Sequence, residues 1–349
     1  MQTLQLKAII KKILFVFILG LSLVSCNENN KKIKKDSDEF LYASSGRTSE
    51  ILIVISEKLW KSPLGDSIKA SLQSTPAWMA RITPEYDITH IPYEAFGSVY
   101  QKERNILFIK KENIKKPKVA LRTNVYAQPQ ALITIQAKTE AELIKAFDKY
   151  QNKIKTTFHQ NEIKRIEAAY KGLEVKTLAE KLDKKFGFHL VFPKGFYLAA
   201  DKADFAWLRR PTSEVEEGVL IYTRPYVDTT QFEEQHIIDY RNEITKKYIP
   251  GPVEGSYMKV SSIFPPVYKV TTFEGSYAVE LRSWWDVKGY PMGGPFISYT
   301  FIDKAAGRLI TIDGYIKAPK KGKRDLLLHI EALLNSFTYE KPTKSTKTK

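Results

Sequence analysis

The stretch from Glu280 to Phe296 carries the densest set of residues able to recognise a ligand. In a strand, residues two apart share a face. Tyr277, Val279, Leu281 and Trp285 then line a core-facing side, and Glu280, Arg282, Trp284 and Asp286 share the other. A tryptophan flanked by an arginine and two carboxylates suits stacking on a sugar or docking of a peptide: the ring supplies apolar area and the charges supply direction. The plainer alternative is a covered Trp284 with Arg282 paired to a carboxylate. Gly289, Gly293 and Gly294 follow, and a glycine loop there would let backbone approach a ligand or a second chain closely. A second cluster, Lys320, Lys321, Lys323 and Arg324, stands at the start of the last expected helix, where cations oppose the macrodipole. An anionic partner or a nearby acidic surface would offset that opposition.

Other chemistry is sparse. The chain has no phosphate loop, no G-x-S-x-G elbow, no H-E-x-x-H and no G-x-G-x-x-G after a strand. Its five histidines, His90, His159, His189, His236 and His329, are dispersed and read as surface or packed rings. A single cysteine, Cys26, excludes a disulfide framework and any multi-cysteine metal site. Neither a metal nor a cofactor is expected. The acidic pairs Glu216-Glu217 and Glu233-Glu234 read as solvated faces. One catalytic arrangement stays open: two carboxylates brought together in three dimensions, which glycosidic hydrolysis needs.

The amino terminus reads as an address. Lys7, Lys11 and Lys12 precede an apolar run of twelve residues from Ile13 to Val24. That is short of the ~20 residues a spanning helix needs, and it matches the hydrophobic region of a secretory signal. The run ends Leu23-Val24-Ser25-Cys26, which resembles a bacterial lipoprotein box. The resemblance implies that residues 1–25 are removed and that Cys26 is lipidated, with a membrane as the partner at that end. Each acyl methylene buried in the bilayer contributes about 0.8 kcal/mol. Residues 26–48, polar and poor in large apolar groups, read as a flexible tether, and 341–349 as a disordered basic tail.

The formal net charge is +16, and removing Lys7, Lys11 and Lys12 leaves +13. Such a surface reads as attraction to an anionic envelope component or an envelope protein, or, more plainly, as a solvated lysine-rich exterior. Nucleic acid is not an expected partner behind a lipoprotein signal. Against a dedicated phosphate site, the chain holds 43 Lys and 12 Arg, and arginine is the residue suited to bidentate phosphate recognition.

The elements that must position these residues fall into two halves. Residues 49–172 read as an α/β domain with strands at 51–55, 86–91, 105–109 and 131–136 and a helix at 62–74. A long helix at 140–159 continues weakly to 172, with Leu143, Phe147, Tyr150, Ile154 and Phe158 on one face. Residues 173–340 read as an antiparallel-sheet domain, with helices at 174–186, 230–248 and 322–336. Its strands are expected at 188–192, 204–209, 218–224, 256–263, 267–274, 276–287, 296–303 and 308–316. The fold class expected is α+β: an N-terminal α/β domain, then a mainly antiparallel sheet with helices on one face.

Several blocks resemble a family of Bacteroidota envelope lipoproteins of unknown function. They are Arg282-Ser283-Trp284-Trp285, Lys288 with Tyr290 to Phe296 (YPMGGPF), and Ala318-Pro319-Lys320-Lys321-Gly322-Lys323-Arg324. In the first half they are Ser45-Gly46-Arg47, Trp60 with Gly65, Pro84-Glu85-Tyr86-Asp87 and Arg104-Asn105. The resemblance spans about 45–338 and implies an envelope lipoprotein with no catalytic residues to carry over. The second half also looks similar to the PsbP/Mog1-type α+β sandwich, a binding fold.

The function expected is a membrane-anchored, non-catalytic binding or assembly module, with an envelope hydrolase acting in an interdomain cleft as the alternative. Asn27-Glu28-Asn29 lacks the dense acidic run of surface-export signals, so the address expected is the periplasmic side of the outer membrane.

Overall fold

Glu50–Val54 (EILIV) buries four consecutive residues, the pattern of a parallel strand covered on both faces rather than a sheet with one wet side. In the computed structural model, which describes residues 41–79 and 82–339, this strand, β1, stands inside a five-stranded sheet. β2 (Asp87–Ile91) and β3 (Asn105–Lys111) flank it in parallel. The edge strand β4 (Lys118–Thr123) runs antiparallel to β5 (Ala131–Ala137), which is parallel to β3. Helix α1 (Pro63–Leu72), with proline in its first turn, packs on this sheet through Leu64, Ile68 and Leu72.

Helix α2 (Glu140–Lys171) runs unbroken for 32 residues. Thr139 starts it with a capping box: its hydroxyl accepts from the Glu142 N–H at 3.2 Å, and the Glu142 carboxylate accepts from the Thr139 N–H at 3.0 Å. Leu143, Phe147, Ile154 and Phe158 enter the core of the first sheet, whereas Ile163, Ile166 and Tyr170 enter that of the second. Tyr150, expected on the inner face, is exposed.

The second sheet is antiparallel throughout. Its strands are β6 (Tyr197–Lys202), β7 (Phe205–Pro211), β8 (Glu216–Pro225), β9 (Tyr257–Val260), β10 (Val267–Phe273), β11 (Ser276–Lys288), β12 (Tyr290–Asp303) and β13 (Arg308–Lys317). The spatial order is β9-β11-β12-β13-β8-β7-β6, with β10 sharing the β11 edge with β9. Helices α3 (Lys176–Phe186) and α5 (Arg324–Asn335), with the end of α2, cover one face through Leu182, Phe186, Leu327, Ile330 and Leu334 against Ala278, Ile297 and Ile312. Helix α4 (Glu234–Tyr248) adds cover on the other face, where Ile237 and Ile244 meet Val279, Leu281 and Trp285. The fold is α+β. Both sheets belong to one compact unit that begins at Leu41.

Several features differ from the sequence reading. Helices cover both faces of the second sheet rather than one. Tyr277, expected to line the core, is exposed. The strand expected at 188–192 is confined to Phe188–His189, which pairs with Thr338–Tyr339 outside that sheet. Gly293 and Gly294 lie within strand β12, not in a loop; the turn itself is at Gly289, with φ +80°. The last part of the expected tether is tied down: Tyr42–Ala43 pairs with Ala127–Gln128, and the Ser45 N–H donates to the Lys102 carbonyl at 2.8 Å. The edge strands β4 and β6, at 118–123 and 197–202, carry no sequence signal, because their residues are mostly half-exposed or exposed. Among the described residues no helix is long and apolar enough to cross a membrane. The expected signal, Cys26 and the basic tail lie outside the described residues.

Candidate functional site

Strand β11 alternates, so its even-numbered side chains face α5 and its odd-numbered ones face α4. On the α5 side lies a cleft of about 870 Å³, walled by α2, α5, β10, β11 and the chain leading into β2. Arg282 sits on its floor. The guanidinium donates from Nη1 to Glu331 Oε2 at 3.0 Å and from Nη2 to Glu331 Oε1 at 2.6 Å, while Nε donates to Glu280 Oε1. This is the fork-to-carboxylate geometry that only arginine provides. His159, from α2, reaches Glu331 Oε1 through Nε2 at 2.8 Å. Trp78 places its ring 5.8 Å from the Arg282 guanidinium carbon.

The electrostatics follow from burial and pairing. Burial alone would push the Glu331 carboxyl up, but Arg282 and His159 outweigh it and hold the group far below the usual carboxylate range. Burial also opposes a charged His159, yet the Glu331 carboxylate prevails and raises its pKa. Tyr299 is pushed well up, first by burial and then by the nearby Glu331 and Glu280 charges, so it stays a neutral phenol. Both oxygens of Glu331 are thus occupied and its proton is gone. It acts as a strut, not as an acid.

Of the four residues expected together, the cleft takes only two. Glu280 and Arg282 line it. Trp284, further along the same face, lies against Phe264 at 5.4 Å between ring centroids, with the Lys323 ammonium 6.0 Å from its ring. Asp286 pairs with Lys259 at 3.1 Å. Neither lines the cleft. The glycines serve the protein's own rings: a Cβ on Gly293 would stand 2.9 Å from Trp284 Nε1, and one on Gly294 would stand 1.8 Å from the Ile316 carbonyl oxygen. The basic cluster divides too. Lys320 is exposed, Lys323 is buried beside Trp284, and Arg324 donates to the Pro84 carbonyl, Asp87 and Asp325 at 2.9, 2.9 and 2.8 Å. For Arg324 the acidic surface that offsets a cation at this helix start is therefore intramolecular.

Other blocks are also structural. Arg104 donates to the carbonyls of Ser45 and Gly46, and Asn105 to buried Glu162 at 2.8 Å. Gly65 makes room for the Trp60 backbone. Glu216 and Glu217, expected as a solvated face, are instead paired to Arg209 and Arg210. His189 bridges Asp183 and Glu174 at 2.9 and 2.8 Å.

On the α4 side of β11 a second pocket, of about 430 Å³, is lined by Trp285, Val287, Trp207, Met258, Met292 and Tyr315, among others. Tyr315 accepts from Trp207 Nε1 at 3.0 Å and donates to Glu216 Oε1 at 2.8 Å. Gly218 lies under the Tyr315 ring, where any Cβ would overlap it.

With this geometry in place, the comparisons with known proteins divide the chain at α3. Both halves match families of unknown function. Residues 175–336 match the family model described as "Domain of unknown function (DUF4837)" and residues 44–171 the one described as "Domain of unknown function (DUF8532)". The comparison with curated proteins gave no match. Among solved structures the chain is similar to the Ran-binding protein Mog1p of Saccharomyces cerevisiae, at 9% identity and a TM-score of 0.29, over 44% of this chain and 90% of that one. It is similar to LpqN of Mycobacterium tuberculosis, described as involved in cell envelope biogenesis, at 11% identity and a TM-score of 0.27, over 43% and 82%. A Pseudomonas aeruginosa protein of unknown function, PA94, matches at 14% and 0.25, over 44% and 92%.

Sequence reasoning missed Glu331 and His159, which are 172 positions apart. A signal existed for the first. Glu331 interrupts the run LLLHIEALL at a position that the helical period sends inward with Leu327 and Leu328, and a buried carboxylate demands a cationic partner.

Proposed function

We propose that this protein is a lipid-anchored lipoprotein of the cell envelope that binds, without transforming, a polar envelope component in the cleft between α2 and α5. The observation that carries the reading is the 870 Å³ cleft floored by a fully paired charge cluster. Its walls hold both signs of charge and the aromatic rings of Trp78 and Tyr86, which suits a peptide or glycan bearing several polar groups. The lipoprotein box ending at Cys26 supports anchorage at a membrane, and the excess of lysine supports an anionic surrounding.

The test has two arms. Metabolic labelling with a fatty acid should mark the wild-type chain and not Cys26→Ala. The purified chain, dialysed against a soluble peptidoglycan digest, should retain fragments and release them with unchanged masses. Gln160→Trp, which narrows the cleft from an exposed helical position, should abolish retention. If no fragment is retained by either protein, the binding reading falls.

A second reading, hydrolysis in the same cleft, is favoured by one observation. Glu167 lines the cleft half-buried, and burial, then Glu274, raise its carboxyl against the pull of Lys171 and Lys164. That is the environment of a general acid. Fragments released with cleaved masses, and not cleaved by Glu167→Gln, would establish it in place of simple binding.

A further inference from the structure

Two of the blocks singled out in the sequence meet at the second pocket, which the cleft-binding reading does not use. Tyr290, Pro291 and Met292 come from one block; Lys317 and Pro319 come from the chain entering the other. The interior is apolar: Trp207, Trp285, Met258, Met292, Val287 and Ile249 form the walls. The polar groups inside are already satisfied. Trp285 Nε1 donates to the Ile316 carbonyl at 3.2 Å, and Tyr315, Trp207, Arg209 and Glu216 close a network among themselves. Glu216 is neutralised by a two-point contact with Arg209, so the wall carries no uncompensated negative charge.

The mouth differs. Lys317 lines it, and Lys288 and Lys320 adjoin the lining segments. None of the three has an ion-pair partner among the described residues. Tyr290 stands 41% exposed at the same rim. Two methionines give the walls a deformable surface that adapts to chains of differing shape. An apolar interior with an unpaired basic mouth is complementary to one chemistry: a molecule with an apolar tail and a single anionic head.

We propose that this pocket binds a single-chain anionic amphiphile, its tail between Trp207, Trp285 and the two methionines and its carboxylate on Lys317. The site is on the opposite sheet face from the cleft.

Titration calorimetry of the purified full chain with linear alkanoates below their micellar range tests this. Affinity should rise about fourfold per added methylene until the pocket is filled. Lys317→Gln should weaken decanoate binding about five- to tenfold and leave decanol unchanged. Met292→Trp, a substitution at a half-exposed rim position, should abolish binding of both. Circular dichroism melts confirm that each variant is folded. Chain-length-independent affinity, equal loss of decanoate and decanol in Lys317→Gln, or decanoate binding that survives Met292→Trp would each overturn the proposal.

Discussion

Arg282 on β11 and Glu331 on α5 meet through two parallel hydrogen bonds of 3.0 and 2.6 Å, and His159 on α2 closes on the same carboxylate at 2.8 Å. One buried side chain thus joins the two family-matched segments. It does so beside a continuous apolar contact of α2 and α5, in which each fully buried Leu or Ile contributes roughly 1.5–3 kcal/mol. The charges therefore fix how the segments meet more than they hold them together.

Removing one member of this group should be far worse than removing the pair. Arg282→Ala leaves Glu331 buried without its main partner and should cost about 3–5 kcal/mol, whereas Arg282→Met with Glu331→Leu should restore most of that loss. Urea midpoints of the three proteins measure both effects. A single variant that loses under ~1 kcal/mol would contradict the burial described.

Stability should depend on pH from both sides. The folded pKa of His159 is raised above its ordinary 6.5, so its contribution is complete below that value and is lost as pH rises through the folded one. Glu331 behaves oppositely: its contribution is complete above the ordinary 4.5 and is lost as pH falls through the depressed folded value. The group is at full strength from pH 4.5 to 6.5. Denaturation midpoints across pH should show the alkaline decline in wild type and not in His159→Gln, and NMR titration of the His159 ring gives the folded value directly.

The glycines of β12 should be unequal to that of the preceding turn. Gly294→Ala drives a methyl into the Ile316 carbonyl, which is backbone and cannot move without disturbing the β8–β13 pairing opposite Glu217 and the bond from Trp285 Nε1. A loss of about 3 kcal/mol or more is expected. Gly289→Ala meets nothing and suffers only its positive φ, about 1 kcal/mol. Thermal melts of the two variants rank them.

Arg324 and Asp87, partly exposed and 2.9 Å apart, should show only a modest coupling. A double-mutant cycle with Arg324→Ala and Asp87→Ala should give about 0.5–1 kcal/mol. Hydrogen exchange should quicken chiefly around 84–87, where Arg324 also holds a carbonyl.

The sequence made the long elements legible because their periods are regular. Helix α2 and strands β11 and β13 repeat apolar residues at spacings that allow one reading. The alternation across β11 was also legible: Val279, Leu281 and Trp285 face one core, and Glu280 and Arg282 face away from it. What Arg282 touches was not, since its partners come from α5 and α2 and only tertiary packing sets those distances. Gly293 and Gly294 misled for a physical reason. Glycine reads as loop when judged locally, yet here the missing Cβ makes room for Trp284, Trp285 and a neighbouring strand.

Helix α2 feeds two cores, and the change from one to the other falls between Phe158 and Ile163, not after residue 171 where the first family match stops. The boundary between the two family matches and the boundary between the two cores are therefore offset by about three turns of helix. A partner segment acquired from another protein would have to arrive already shaped to the last turns of α2. The two segments are accordingly expected to change in concert across descendants, each substitution at 163, 166 or 170 being answered from the far side of the junction.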